Sequence, residues 1–183
     1  MEAEQMTLIA SVSGIRGTFG DGLYPDNLVQ YAKAYGLWIR QEWSREAATR
    51  QDLSRKGAGQ HSDNPMSDNP VSNNPVSNNP VIVIGRDSRV TGEICEHLVS
   101  ATLRSMGIDI ISLGIVPTPT VAMAVLHYQS NGGIILSASH NPAEWNALKL
   151  LNDRSEFLDP SQGAEVLALM DSKDDSEVSV WAP

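Results

Sequence analysis

VIVIGRDSR, residues 81–89, opens with four consecutive β-branched residues and breaks at Gly85. A run without alternation suits a strand buried on both faces, and such strands lie in sheets layered between helices. The polar segment RDSR would then stand at the carboxyl end of a buried strand, where sheets of this class gather ligands. Upstream, TLIASV (residues 7–12) reads as a strand and SGIRG (residues 13–17) as a Gly-bounded loop. From Pro25, Leu28, Tyr31, Tyr35, Trp38, Ile39 and Trp43 recur at helical spacing. Downstream, Thr91 is placed to cap a helix with the stripe Ile94, Leu98, Ala101 and Ser105, stopped at Gly107. DIISL (residues 109–113) is a strand. Thr118-Pro119 starts a helix that runs toward His127 and ends by Gly132-Gly133. Ile134–Ser137 and Ala147–Leu151 read as strands, and Asp159-Pro160 as the start of a last helix. Strands alternating with amphipathic helices predict an α/β fold with a largely parallel sheet.

The interval 44–80 breaks this grammar. It is polar and carries four tandem pentads, SDNPM, SDNPV, SNNPV and SNNPV, whose Asn-Pro steps oppose helix. It is expected to be a disordered low-complexity insertion, dividing the domain into residues 1–43 and 81–172. Residues 173–183 form a polar tail. A connection of that length is tolerable, since closure entropy rises by only about 0.6 kcal/mol per doubling.

Composition narrows the function. The 183 residues carry a formal charge of −9, with 41% apolar and 19% charged side chains. This is a globular balance, and the acidity argues against nucleic-acid binding, which needs a basic face. The single cysteine, Cys95, excludes an internal disulfide and reads as a buried small hydrophobe. No apolar run reaches the length of a membrane span. With no secretory signal visible, a cytoplasmic location is expected.

Chemistry concentrates in SASHNPAEWNALK, residues 137–149, directly after the apolar GGIIL. Ser139 is a candidate nucleophile, although residues two apart share a strand face and spacing alone does not separate it from Ser137. His140 is a candidate base or phosphate donor. Lys149, ten residues after Ser139, is a candidate charge clamp or proton shuttle. Arg16, between Gly14 and Gly17, offers a planar fork suited to phosphate. RDSR is either an Arg–Asp knot or part of a ligand cradle. No G-x-S-x-G elbow is present, which disfavours an esterase.

Taken in order, SGIRG, VIVIGRDSR with TGE, GIVPTPT and GGIILSASHNPAEWNALKLL resemble the N-terminal domain of the α-D-phosphohexomutases, a family of phosphoglucomutases, phosphomannomutases and phosphoglucosamine mutases. The opening and NALKLLNDRSEFL look most similar to the phosphoglucosamine mutase-like branch. The resemblance implies a three-layer α/β/α domain with a mixed, largely parallel sheet. It also implies a phosphoserine at Ser139, and Mg²⁺ bound through its phosphate. Arg16 and Lys149 would serve catalysis and substrate binding, His140 catalysis, and Asn141 substrate binding. The substrate would be a sugar phosphate, glucosamine phosphate being favoured. The family's D-G-D-x-D-R metal loop and G-E-x-S-G sugar loop are absent from the sequence. The chain is therefore expected to be a fragment with little turnover of its own, partnered by the remaining mutase domains. The alternative is a non-catalytic sugar-phosphate-binding or interaction module that kept the fold.

Overall fold

Residues 9–11, 14–57 and 79–171 are described by a computed structural model. In chain order the elements are β1 (Ile9–Ser11), β2 (Gly14–Phe19), β3 (Gly22–Leu23), α1 (Pro25–Gly57) and β4 (Val81–Arg86). They continue as α2 (Gly92–Ser105), β5 (Asp109–Ile115), α3 (Thr118–His127), β6 (Gly132–Leu136), β7 (Trp145–Leu151) and α4 (Pro160–Asp171). The strands form one mixed sheet of order β1-β2-β7-β6-β4-β5, with β3 paired to β2. β5, β4 and β6 are mutually parallel, whereas β6-β7, β7-β2 and β2-β1 are antiparallel.

Alternation sorts the side chains into two cores. Ile82, Ile84, Ile134, Leu136, Leu148, Leu150 and Ile15 face α1, α2 and α4, where they meet Leu28, Tyr31, Tyr35, Val99, Leu103 and Val166. Val83, Ile135 and Leu151 face the other way, against Val121, Ala124 and Val125 of α3. The result is the expected α/β/α layering. Val81–Ile84 is buried throughout, as its β-branched run requires. The Tyr35 hydroxyl donates to the carbonyl of Leu151 at 2.7 Å and pins α1 to the sheet. Burial pushes its phenol above the usual tyrosine range.

Four expectations are corrected. α1 continues through Gly57, so residues 44–57 are helical rather than part of an insertion. Ala47, Ala48, Glu42, Arg45 and Glu46 are good or tolerated helix formers, and their polarity is that of a helix projecting past the core. The pentads up to residue 78, residue 172 and the tail 173–183 lie outside the described residues. SGIRG is not a loop: from Gly14 it is strand, because Ile15 enters the core opposite Leu148. The glycine is there for close approach, since a Cβ at Gly14, with φ +138°, would meet the Leu148 carbonyl oxygen at 1.9 Å. Gly132 and Gly133 likewise sit inside β6, where a Cβ on Gly132 would meet the Tyr35 hydroxyl at 2.2 Å. On α2 the buried stripe is Cys95, Val99 and Leu103, one residue off the expected one, and Ile94 is exposed. Cys95 is buried as expected, which raises its thiol pKa to about 11. Asp159 caps α4 as read: its carboxylate accepts from the backbone N–H of Ser161 and Gln162 at 2.8 and 2.9 Å.

Candidate functional site

The face of β7 and β2 turned away from α1 is where the chemistry collects. In antiparallel pairs, directly opposed residues share a face. Arg16 opposes Ala147 and Gly14 opposes Lys149, so Arg16 and Lys149 stand on the same side. That side is continuous with Ile135, the partner of Lys149 on β6, and α3 covers it over β4, β6 and the Leu151 end of β7. Past its edge lies a cavity of about 320 Å³ lined by Gly14, Ile15, Arg16, Ala147, Leu148, Lys149 and Phe157.

Ser139 reaches this face from above. β6 ends at Leu136, and the chain turns back in a tight loop closed by the Asn141 N–H donating to the Ala138 carbonyl at 3.1 Å. Ser139 holds φ 56° in that turn. Its Oγ accepts a hydrogen bond from Lys149 Nζ at 2.5 Å. Ser137 does the opposite job. It is buried, and its Oγ accepts the Ser139 N–H at 3.1 Å. One serine thus holds the backbone, while the other presents an exposed hydroxyl to an amine.

The electrostatics of the pair follow from its neighbours. Partial burial disfavours the ammonium of Lys149 and lowers its pKa; the guanidinium of Arg16 adds to the lowering, Asp87 opposes it, and Arg89 lowers it further. Arg16 is exposed, and its guanidinium makes no hydrogen bond or ion pair with the described residues. Arg89, in contrast, pairs with Asp87 at 3.0 Å. The local balance is thus two cations without a carboxylate of their own, Arg16 and Lys149, beside one neutralised pair. That is the field a phosphate dianion requires, within a chain of net charge −9.

The other sequence candidates are less committed. His140 is exposed at the turn, and Asn141 is half-buried, offering its backbone to the loop. Ser139, Lys149 and Arg16 are brought to one surface, with His140 and Asn141 on its rim. Two contributors were missed. Phe157, half-exposed, lines the cavity, and nothing in its local sequence marks it. Asn146 is fully buried; its Nδ2 donates to Thr91 Oγ1 at 3.0 Å and its Oδ1 accepts the Ala147 N–H at 2.8 Å. The Thr91 hydroxyl is therefore engaged with β7 rather than capping α2 through its side chain. A polar residue directly before the expected strand Ala147–Leu151 was the available signal.

Magnesium does not find a ready-made site. Among the described residues no three His, Cys, Asp or Glu side chains cluster. Asp87, whose carboxylate acts on Lys149, spends Oδ2 on Arg89 Nε and Oδ1 on the Arg89 N–H. Mg²⁺ prefers six oxygens in octahedral geometry, which these residues do not supply. No helix among the described residues is long and apolar enough to cross a membrane.

The family model described as phosphoglucomutase/phosphomannomutase, alpha/beta/alpha domain I, matches residues 69–177. The phosphoglucosamine mutase of Alkaliphilus oremlandii (strain OhILAs) is 46% identical over 71 residues, covering 39% of this chain and 16% of that protein. The phosphoglucomutase/phosphomannomutase of Thermococcus kodakarensis is 41% identical over 94 residues, 51% of this chain and 21% of that one. The chain therefore spans about a fifth of the length of these relatives. A solved structure from Thermus thermophilus, described as a phosphomannomutase, superposes with a TM-score of 0.65 over 93% of this chain and 30% of its own, at 23% identity. That likeness speaks for the fold, over a larger share of the chain than the family match.

Proposed function

The chain belongs to the phosphoglucomutase/phosphomannomutase family through its alpha/beta/alpha domain I, and from that premise we propose that Ser139 is the phosphoryl-carrying residue of a phosphohexomutase. The observation that carries the reading is the exposed Ser139 hydroxyl held 2.5 Å from Lys149 Nζ. In the forward step the Ser139 Oγ–P bond breaks while a bond forms from phosphorus to a hydroxyl of a hexose monophosphate. The hydroxyl proton passes to the His140 imidazole, and the serine oxygen regains a proton from the Lys149 ammonium. The hexose bisphosphate reorients, and its other phosphoryl group returns to Ser139. Transfer of this kind asks the protein for position and charge neutralisation. A phosphoserine brings about −1.5 to −2 charges, close to what Arg16 and Lys149 offset. The lowered pKa of Lys149 makes its ammonium a readier proton donor than an ordinary lysine.

His140 and Asn141, on the rim of the turn, are assigned to proton transfer and substrate contact respectively. The substrate class is a hexose phosphate; the phosphoglucosamine mutases among the relatives favour an amino sugar. A Mg²⁺ ion would touch this chain only through phosphoryl oxygens on Ser139, its remaining ligands coming from other domains. The interconversion of sugar 6-phosphate and 1-phosphate belongs to that larger assembly.

Phosphopeptide mass spectrometry of the protein purified from its own cells, with phosphatases blocked, tests the reading. Phosphate is expected on Ser139 and absent in Ser139→Ala. A protein that binds a sugar phosphate yet never carries phosphate at Ser139 would instead be the non-catalytic module, which Arg16 and Lys149 support by charge alone.

A further inference from the structure

We infer that Arg89 is the positioning residue of this site: its guanidinium clamps the carbonyls of the Ser139–Trp145 loop and so fixes where the Ser139 hydroxyl points. The inference rests on the phosphoserine reading for its purpose, though not for its geometry. Arg89 Nη2 donates to the carbonyls of Ser139 at 2.8 Å and Asn141 at 2.9 Å. Nη1 donates to the carbonyl of Trp145 at 2.9 Å and to that of Pro142. Nε donates to Asp87 Oδ2 at 3.0 Å. A guanidinium has five N–H donors, and here all of them are used inside the protein, with the side chain 11% exposed. Arg89 therefore has no donor left for an anionic ligand. Of the two readings of RDSR, the Arg89–Asp87 pair favours the knot.

The clamp has strain to oppose. The turn closed by Asn141 N–H on the Ala138 carbonyl places Ser139 at its second position with φ 56°, while His140 is not in the positive region. A positive φ at that position alone is the II′ pattern, in which glycine is the usual occupant. A serine there is strained and persists only where the surrounding structure holds it. Hydrogen bonds to a charged donor are among the stronger ones, and four of them converge on the carbonyls of this turn. The clamp is itself anchored. Asp87 N–H donates to the Leu136 carbonyl at 3.1 Å, at the point where β6 ends, and Asp87 Oδ1 accepts the Arg89 N–H at 3.1 Å. The loop after β4 thus sets the loop after β6, and Ser139 Oγ is delivered to Lys149.

Two readouts that need no phosphate transfer test this on the full chain. The first is hydrogen exchange of the turn amides Asn141 and Trp145. The second is the pH midpoint for acylation of Lys149, followed by mass spectrometry. The charged groups acting on that amine are Arg16 from β2, and Asp87 and Arg89 from the loop after β4. Arg89→Lys keeps the charge and loses the fork. Exchange in the turn is expected to accelerate about tenfold or more, amides of Ile82–Ile84 to keep their protection, and the Lys149 midpoint to rise as the loop uncovers it. Unchanged turn exchange and an unchanged midpoint would overturn the clamp.

Should Arg89→Lys lose protection throughout, Asp87→Ala decides by sign. Loss of the carboxylate alone lowers the Lys149 midpoint further, whereas release of the loop raises it. A fall with the turn still protected overturns the proposal. Phosphate on Ser139 with an unaltered Arg89→Lys turn would sink the clamp and leave the mutase reading. A freed turn without phosphate on Ser139 would do the reverse.

Discussion

The two halves of the sheet are built to different rules. The parallel half, β5-β4-β6, is covered by α1 and α2 on one face and by α3 on the other, and its strand β4 is buried from Val81 to Gly85. The antiparallel half, β7-β2, buries Leu148, Leu150 and Ile15 against α1, α2 and α4, keeps Leu151 under α3, and turns Arg16 and Lys149 toward the cavity past α3. Apolar area removed from water stabilises by roughly 25 cal/mol per Å², and the first half uses both faces for this. The second half gives part of one face over to cations, whose burial would be costly. Stability and chemistry are thereby separated within one continuous sheet, and a substitution should reveal which half it falls in.

The sharpest contrast is expected from Ile134→Ala. Ile134 is fully buried in the parallel half, and removal of such a side chain costs about 2–5 kcal/mol including the cavity left behind. Urea unfolding should show that loss with little change in the acylation midpoint of Lys149. A cost within about 0.5 kcal/mol, the level of an ordinary surface substitution, would break the division. Gly14→Ala should come next, at about 1–3 kcal/mol. Its Cβ would press on the Leu148 carbonyl from a backbone at φ +138°. Because Gly14 opposes Lys149, this substitution should also disturb the Lys149 midpoint, unlike Ile134→Ala. A stable Gly14→Ala with the wild-type midpoint would mean that β2 and β7 are less tightly joined than their register implies.

How far the sequence revealed these halves depends on where each residue's reason lies. Val81–Ile84 could be read as a doubly covered strand because the reason is local, four β-branched residues in a row. Asp159-Pro160 could be read as a helix start for the same cause. Gly14, Gly132 and Gly133 were misread as punctuation, since what demands glycine there is Leu148, Tyr35 and Val125, distant in sequence. The α2 stripe slipped by one residue because Ile94 and Cys95 both fit a helical period; packing against α1 decides between them. In the site, Ser139 and Arg16 stood out as residue types after expected strands and Lys149 as one within a strand, and their meeting needed only the sheet register. Arg89 remained ambiguous because its partners are carbonyl oxygens, which leave no mark in a sequence.

The smallest expected effect on stability carries the most information about the open half. Lys149 is half-buried with its pKa lowered, chiefly by desolvation and then by Arg16. The folded state therefore binds its proton less readily than the unfolded chain does. Below the folded pKa the protonated amine carries the full penalty. As pH rises from there toward the ordinary value of 10.5, the unfolded state holds more proton than the folded one, and the penalty is relieved. Lys149→Met should thus be as stable as wild type at neutral pH, or more stable by up to about 1 kcal/mol, the scale of a favourable surface change. Its advantage should shrink as pH increases, while phosphate on Ser139 is lost. Unfolding of both proteins across that range measures the difference with all other titrations cancelled. An advantage that grows with pH, or a Met variant markedly less stable at neutral pH, would mean that the amine is held by favourable charge. The open face would then be a structural surface rather than a cationic seat for phosphate.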